Sequence, residues 1–194
     1  MKVSVPEEGY VEISRIGNLY VVHLDGVQKD DMIECYEYIT EDTPDVSQLQ
    51  EDLVVWKNYI AEKELQFAKE VKCKDLLKYD SSDAVNGFII RTDGGDITKW
   101  LDTEKRNNAF RAIDSAKKLG DESISFAIGD IPVTLTVATA EIYLARVEKY
   151  AVTCTNVTAR HKAAINALDT VEAVEAYDFK RFYPEKLIFN VESV

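Results

Sequence analysis

The feature that most constrains the fold is a row of residues in the last third of the chain that recur in alternating steps of three and four. The row runs from Val137 to Leu168 without interruption. Residues at this spacing share one face of an α-helix, so we expect a helix from about Ala138 to Leu168. The small and polar members disfavour a free-standing coiled coil and favour a helix packed on its own sheet. The positions are Val137, Ala140, Leu144, Val147, Ala151, Cys154, Thr158, His161, Ile165 and Leu168.

Short β-rich segments separated by turn residues accompany this helix. Asp102 is placed to cap a second helix and Gly120 to end it, with Ala109, Phe110, Ile113 and Ala116 expected to face inward. The order over residues 79–194 is ββαββααβ, which predicts an α+β domain with an antiparallel sheet and packed helices. The expected elements are strands Gly87–Arg91, Ile97–Leu101, Ser123–Ile128, Ile131–Thr136 and Lys186–Val191, a helix Thr103–Leu119, and a short helix capped by Asp169-Thr170-Val171-Glu172.

The N-terminal segment has the pattern of a small β-meander over residues 1–46. Gly17-Asn18 is a two-residue hairpin signal, and Asp25-Gly26 is a second turn signal. Three short strands bury little apolar surface by themselves, so this piece needs a neighbour or a partner. The expected strands are Tyr10–Ile16, Leu19–Leu24 and Met32–Thr40.

Residues 47–78 have the pattern of an amphipathic connecting helix. Ser47 and Gln50 fit a capping box at its start. Its apolar stripe either packs on the β-domain of the same chain or binds a second copy or a partner. Tyrosine is favoured both at contact surfaces and in half-buried strands, which adds two residues of the third strand as interface candidates. The candidates are Leu49, Leu53, Trp56, Ile60, Phe67, Val71, Tyr36 and Tyr38.

The charge of the chain is strongly acidic and unevenly distributed. The formal net charge is −12, and residues 1–47 hold 11 acidic and 3 basic side chains. This balance argues against nucleic-acid and anionic-membrane partners, which are bound through clustered Lys and Arg. The acidic N-terminal segment is either a solvated surface or a docking face for a basic partner.

The sequence contains few residues whose type and spacing suit catalysis or metal binding. The two histidines, His23 and His161, are far apart, and the three cysteines lack metal-ligand spacing. Asp93-Gly94-Gly95-Asp96 lacks the ligand pattern of a calcium or phosphate loop and indicates a hairpin turn. We therefore expect no catalytic, cofactor or metal residues and a chain that is not an enzyme. The absence of a secretory signal and of a long apolar run favours a reducing cytoplasm.

Several short motifs are distributed between residues 79 and 191. They are Tyr79-Asp80-Ser81-Ser82-Asp83, Val85-Asn86 with Phe88, Trp100-Leu101-Asp102 with Arg106, Tyr150, Cys154, Asn156, Thr158, His161, Ala164 and Ile165, Tyr177-Asp178-Phe179, and Tyr183-Pro184-Glu185-Lys186-Leu187 with Phe189. Together these motifs resemble a phage- and prophage-encoded domain family of unknown function, which is associated with tail and tail-fibre genes of gut-bacterial phages. The family provides no catalytic or ligand residues to transfer.

The resemblance implies a non-enzymatic structural protein of the virion, associated with the tail and made in the host bacterial cytoplasm. Its implied partners are other virion or tail proteins, with a homo-oligomer as a further option. One alternative is an assembly chaperone for a tail fibre that does not stay in the particle. A second alternative is a domain that binds a small ligand or acts as an enzyme.

Overall fold

The computed structural model describes residues 10–29, 32–92, 95–128 and 131–190 of the chain. The chain divides into two compact units, Met1–Lys63 and Glu64–Val194. The α+β class is confirmed. Residues 1–9 of the predicted meander, the expected turn residues Asp93-Gly94 and the strand end at Val191 lie outside the described residues.

The first unit contains a three-stranded antiparallel sheet in the order β1-β2-β3. Gly17 adopts a φ of +64° at the hairpin turn between β1 and β2, where a side chain would be strained. The predicted turn at Asp25-Gly26 is wrong, because β2 continues through it. Asp25 has a φ of 56° and the register shifts between Leu24 and Val27, so the segment is a bulge inside the strand. The strands are β1 Tyr10–Ile16, β2 Leu19–Lys29 and β3 Met32–Thr40.

Helix α1 covers Val46–Asp80, and its residues are divided between the two units at Lys63. The predicted cap at Ser47 is wrong. The Asp45 carboxylate accepts hydrogen bonds from the backbone amides of Ser47 at 3.0 Å and Gln48 at 3.2 Å. Asp is as good a cap as Ser, and because Asp45 lies two positions before Ser47, the helix gains Val46 and Ser47 in its first turn.

The second unit contains two small sheets, in the order β5-β4-β8 and β6-β7. The expectation of an antiparallel sheet is only partly met, because β8 pairs with β4 in the parallel direction, with Ile90 opposite Phe189. A parallel pair needs a long crossover, and the chain between β4 and β8 includes three helices that provide it. The strands are β4 Phe88–Thr92, β5 Gly95–Lys99, β6 Ser123–Ile128, β7 Ile131–Thr136 and β8 Ile188–Asn190.

The helices of the second unit begin and end close to the predicted residues. The Asp102 side chain caps α2 by accepting from the Lys105 amide at 2.9 Å, and Gly120 ends it with a φ of 77°. The inward placement of Phe110 is wrong, since 65% of its side chain is exposed. It lies about 100° around the helix from Ala109, at the edge of the buried face. The helices are α2 Thr103–Leu119, α3 Val137–Asn166 and α4 Val171–Ala176.

The row of residues in α3 forms the centre of the core of the second unit, as predicted. Nine of its ten members are buried and Leu168 is half-buried. Tyr150 and Val157 are also buried, which widens the contact face of the helix. One end of α3 packs with α2 and the β6-β7 hairpin, and the other with the C-terminal part of α1 and with α4.

Candidate docking surface

The first unit buries very few apolar side chains of its own. Among its described residues, the buried large apolar side chains are Val21, Val22 and Leu24. A much larger group of large apolar side chains is exposed on the strands and on the first part of α1. They are Ile13, Ile16, Val27, Met32, Ile33, Tyr36, Tyr38, Ile39, Val54, Val55, Trp56 and Tyr59. Such a concentration of exposed apolar surface is typical of an interaction site.

The cross-strand register assigns these side chains to the two faces of the sheet. Ile13, Val22 and Tyr38 lie side by side across the three strands, and Leu24 is opposite Tyr36. Because side chains of directly paired residues point to the same side, these five residues define what we call the tyrosine face. Tyr36 and Tyr38 are 40% and 46% exposed, so much of this face is open to solvent.

The first part of α1 contacts one end of the tyrosine face. The Trp56 ring meets the Tyr36 ring edge-on with centroids 5.7 Å apart. The Lys57 ammonium lies 5.0 Å from the centre of the Tyr36 ring and forms an ion pair with Asp25 at the strand bulge. Trp56 nevertheless keeps 51% of its surface exposed, so the pair leaves an aromatic surface for a partner.

The opposite side of the sheet combines apolar and acidic side chains. His23 lies between Glu37, with Nε2 and Oε2 3.2 Å apart, and Glu12, with Nδ1 and Oε2 3.8 Å apart. The next row of this side contains the buried Val21 and the exposed Ile39. These five residues define the histidine face, and its carboxylates suit a partner that carries basic groups beside apolar ones.

The residues of the predicted helix stripe do not form one packed seam. Leu49, Leu53 and Ile60 are half-buried in the first unit. Phe67 and Val71 belong to the second unit and are 67% and 43% exposed. The stripe is therefore available to a partner at several positions, and no described contact shows which partner covers it.

The part of α1 in the second unit packs through another side of the helix. Its core contacts come from Leu65, Ala68 and Leu76, which join Ile165 of α3 in one cluster. At 100° per residue, the direction of Phe67 lies about 180° from that of Leu76. Phe67 and Val71 therefore remain exposed because the opposite side of the helix fills the core.

A polar cluster in the second unit contains the side chains best suited by type to acid–base chemistry. Thr158 Oγ1 donates to Asp80 Oδ1 at 2.6 Å and lies 2.7 Å from the Tyr183 hydroxyl. His161 Nδ1 is 2.8 Å from the Tyr177 hydroxyl, and its Nε2 is 2.8 Å from the Arg181 carbonyl oxygen. Since a carbonyl oxygen only accepts, the Nε2–H of His161 donates to Arg181, and the Tyr177 hydroxyl is the partner of Nδ1.

Cys154 and Tyr150, which lie beside this cluster, and Tyr183 within it are harder to ionise than the same groups in water. Burial raises the pKa of the Cys154 thiol, and it also raises the pKa values of the Tyr150 and Tyr183 hydroxyls. A protonated thiol is a poor nucleophile, and Tyr150 donates its hydrogen bond to the Val85 carbonyl at 3.0 Å. Tyr150, Thr158 and His161 of α3 are thus hydrogen-bonded to residues far away in the sequence, so these bonds connect distant segments of the second unit.

The spacing in the sequence placed Thr158 and His161 together in the packed row of α3, but it did not identify their partners Asp80, Tyr177 and Tyr183. Asp80, Thr158, Tyr177 and Tyr183 all lie in the motifs that carry the family resemblance. Residues from these separate motifs contact one another in the cluster. It depends on pairings across as many as 78 positions of the chain, which local patterns do not contain.

Within the described residues, no group of three or more His, Cys, Asp or Glu side chains is arranged to hold a metal ion. No helix among them has both the length and the apolar character needed to cross a membrane.

Comparison with known proteins gave no relatives. No family model, no curated protein and no solved structure matches this chain. The proposals below therefore depend on the geometry of the chain itself and on the motifs described above.

Proposed function

We propose that this chain is a non-enzymatic structural protein of a bacteriophage, associated with the tail, that acts through protein–protein contacts in the virion. The observation that carries the proposal is the exposed apolar surface of the first unit, on its tyrosine face and around Trp56. The phage and tail assignment rests on the motifs between residues 79 and 191 that resemble the phage domain family.

Burial explains why the first unit needs a partner. Apolar surface contributes about 25 cal/mol of stabilisation per Å² removed from water, and a three-stranded sheet with three buried apolar side chains removes little of it. Covering Tyr36, Tyr38 and Trp56 in a complex would add the aromatic contacts that dominate protein interfaces.

Charge indicates the kind of partner. Eleven acidic against three basic residues in positions 1–47 create a negative field around the first unit. A basic protein surface with apolar centres complements this unit, whereas a second acidic unit of the same kind is repelled. The association is therefore expected to weaken as salt screens the charges.

The chemistry of the second unit supports a non-enzymatic role. Its Cys154 thiol is buried with a raised pKa, and both ring nitrogens of His161 are engaged by protein groups. A nucleophile and a free general base within reach of each other are what hydrolytic and transfer reactions need. The described residues of this cluster instead hold segments of the fold together.

The test is quantitative mass spectrometry of purified particles of the encoding phage, with this chain supplied as wild type or variant. Tyr38→Glu places a charge in the middle of the tyrosine face, and we expect it to reduce incorporation at least about tenfold. Leu119→Glu is the matched control, because Leu119 is 78% exposed in the second unit. We expect Leu119→Glu particles to contain the wild-type amount.

Two outcomes would overturn the proposal. Absence of the wild-type chain from particles, with the chain present in infected cells, would reject a virion protein and favour the assembly chaperone for a tail fibre. Equal incorporation of Tyr38→Glu and wild type would reject the docking role of the tyrosine face.

A further inference from the structure

A cleft in the second unit is independent of the docking surface and has the features of a ligand site. Its volume is about 340 Å³, which falls within the range of about 300–1,000 Å³ that is usual for small-molecule pockets. It lies among α2, α3, the β4-β8 pair and the β6-β7 hairpin. Protein interiors pack closely and leave few voids larger than a water molecule, so a space of this size requires an explanation.

The walls of the cleft are almost entirely apolar. One wall belongs to a buried cluster that includes Phe88, Val133 and Phe189. The facing wall belongs to a second cluster that includes Ile113 and Leu144. A polar molecule would lose its hydration there without gaining hydrogen bonds, so these walls select an apolar occupant.

Small side chains are the cause of the space. Ala109 of α2 and Ala140 of α3 line the cleft on the packed sides of their helices, where larger residues usually fill a core, and Ala112 lines it at an exposed position. Ala140 is buried and Ala109 is half-buried. Enlarging either residue is therefore expected to fill the cleft without changing the surface of the protein.

The described lining residues include few polar side chains: two on α2, and Tyr143 of α3, whose hydroxyl donates to the Asn190 carbonyl oxygen at 3.3 Å. Lys105 and Asn108 of α2 line it and are exposed, and Lys105 is the one charged residue among its described lining residues. The Lys105 ammonium pairs with Asp102 at 2.9 Å, and both side chains are more than half exposed. An exposed pair of this kind contributes little stability, so the ammonium is free to exchange its partner for an anionic group at the cleft.

We propose that this cleft binds an aliphatic carboxylate, with its alkyl chain between the two apolar walls and its carboxylate at Lys105 and Asn108. The ammonium supplies the charge, and the Asn108 amide donates a second hydrogen bond to the carboxylate. Such a site goes beyond the proposed tail function and does not depend on it.

Titration calorimetry of the full chain with decanoate and with 1-decanol tests the proposal. We expect decanoate to bind with one-to-one stoichiometry and 1-decanol to bind at least about fivefold more weakly. Lys105→Met is expected to weaken decanoate about fivefold to tenfold while leaving 1-decanol unchanged. Equal binding of the two probes would overturn the assignment of the carboxylate.

Filling the cleft separates binding inside it from binding at the surface. Ala109→Leu is expected to weaken decanoate at least about tenfold, and Ala159→Leu, on an exposed position of α3, to leave it unchanged. Should Ala109→Leu fail to fold, methyl NMR of the wild type provides the same test. Decanoate should then shift the methyl signals of Val133 and Leu144 and not those of Ile165, and the reverse pattern or no shift would overturn the site.

Discussion

The two units of this chain use apolar side chains in opposite ways. The second unit forms four buried clusters and brings nine members of one helical row into its core. The first unit buries Val21, Val22 and Leu24 and leaves most of its other described large apolar side chains exposed or half-buried. One unit is therefore held by its own core, and the other leaves exposed the apolar surface that we propose a partner covers.

Charge follows the same division. Most of the net charge of −12 comes from the first 47 residues, which hold eight more acidic than basic side chains. Acidic groups around exposed apolar residues keep such a surface soluble before it is covered. The proposed docking surface therefore combines a charge that directs a basic partner with the apolar area that retains it.

Truncating a side chain in the core of the second unit should lower the free energy of unfolding more than any other change. Leu76 is fully buried in the cluster with Ile165, whereas its neighbour Leu77 is 51% exposed. We expect Leu76→Ala to lower the free energy of unfolding by about 2–5 kcal/mol and Leu77→Ala by less than about 0.5 kcal/mol. Urea denaturation followed by circular dichroism measures both. Similar losses of unfolding free energy in the two variants would contradict a core that is formed by the second unit itself.

The polar cluster should contribute the next largest effect. Thr158→Val removes the hydroxyl that bonds to Asp80 and Tyr183 and leaves both partners without it. We expect a loss of about 1–3 kcal/mol in the free energy of unfolding. Thr155→Val is the control, since the Thr155 hydroxyl bonds to the carbonyl of Ala151 within the same helix and its side chain is exposed. If Thr155→Val lowered the free energy of unfolding as much as Thr158→Val does, the polar cluster would not be what connects these distant segments.

Alkaline pH should weaken the second unit. Burial raises the folded-state pKa values of Tyr150 and Cys154 above their ordinary values of 10.0 and 9.0. The unfolded chain releases these protons first, so the stabilisation is complete below about pH 9 and is lost as pH rises through the folded-state pKa. We expect unfolding free energies measured in urea to decline from about pH 9 upward.

The variant Tyr150→Phe cannot ionise at this position, so it separates the contribution of Tyr150 to the alkaline decline from that of Cys154. It should lose about 1 kcal/mol at neutral pH, because the bond to the Val85 carbonyl is gone, and should show a shallower decline at alkaline pH. A decline as steep as that of the wild type would show that Tyr150 does not carry the effect.

The smallest effect on stability is expected at the exposed aromatic pair of the first unit. Trp56→Glu disrupts the contact with Tyr36 but leaves the buried clusters of the second unit intact. If copies of the chain associate through the helix stripe, light scattering should show the variant at the monomer mass of 21.9 kDa and the wild type above it. An unchanged mass in the variant would remove this stripe as a self-association surface.

Local patterns were sufficient to predict several parts of the fold. The Asp102 cap, the Gly120 end and the α3 row all depend on residues within a few positions of each other. The β2 bulge at Asp25 was missed because the same residues that favour a turn also tolerate a left-handed backbone inside a strand.

Long-range features could not be obtained from those patterns. The parallel pairing of β8 with β4 joins segments about a hundred residues apart. The packed side of α1 in the second unit is set by α3 and α4, so the exposed Phe67 could not be distinguished from a core residue by its spacing. The interface candidates remain predictions, because a free surface does not by itself name its partner.

Hydrogen–deuterium exchange of the full chain, read by mass spectrometry, tests the division between the two units most directly. Amides opened by global unfolding of a well-packed core exchange slowly, and amides in a unit with little buried apolar area exchange faster. We expect slow exchange through α3 and exchange faster by orders of magnitude through β1, β2 and β3 in the same sample. Equally slow exchange in the strands and in α3 would contradict the account, because the first unit would then be as stable without a partner as the second.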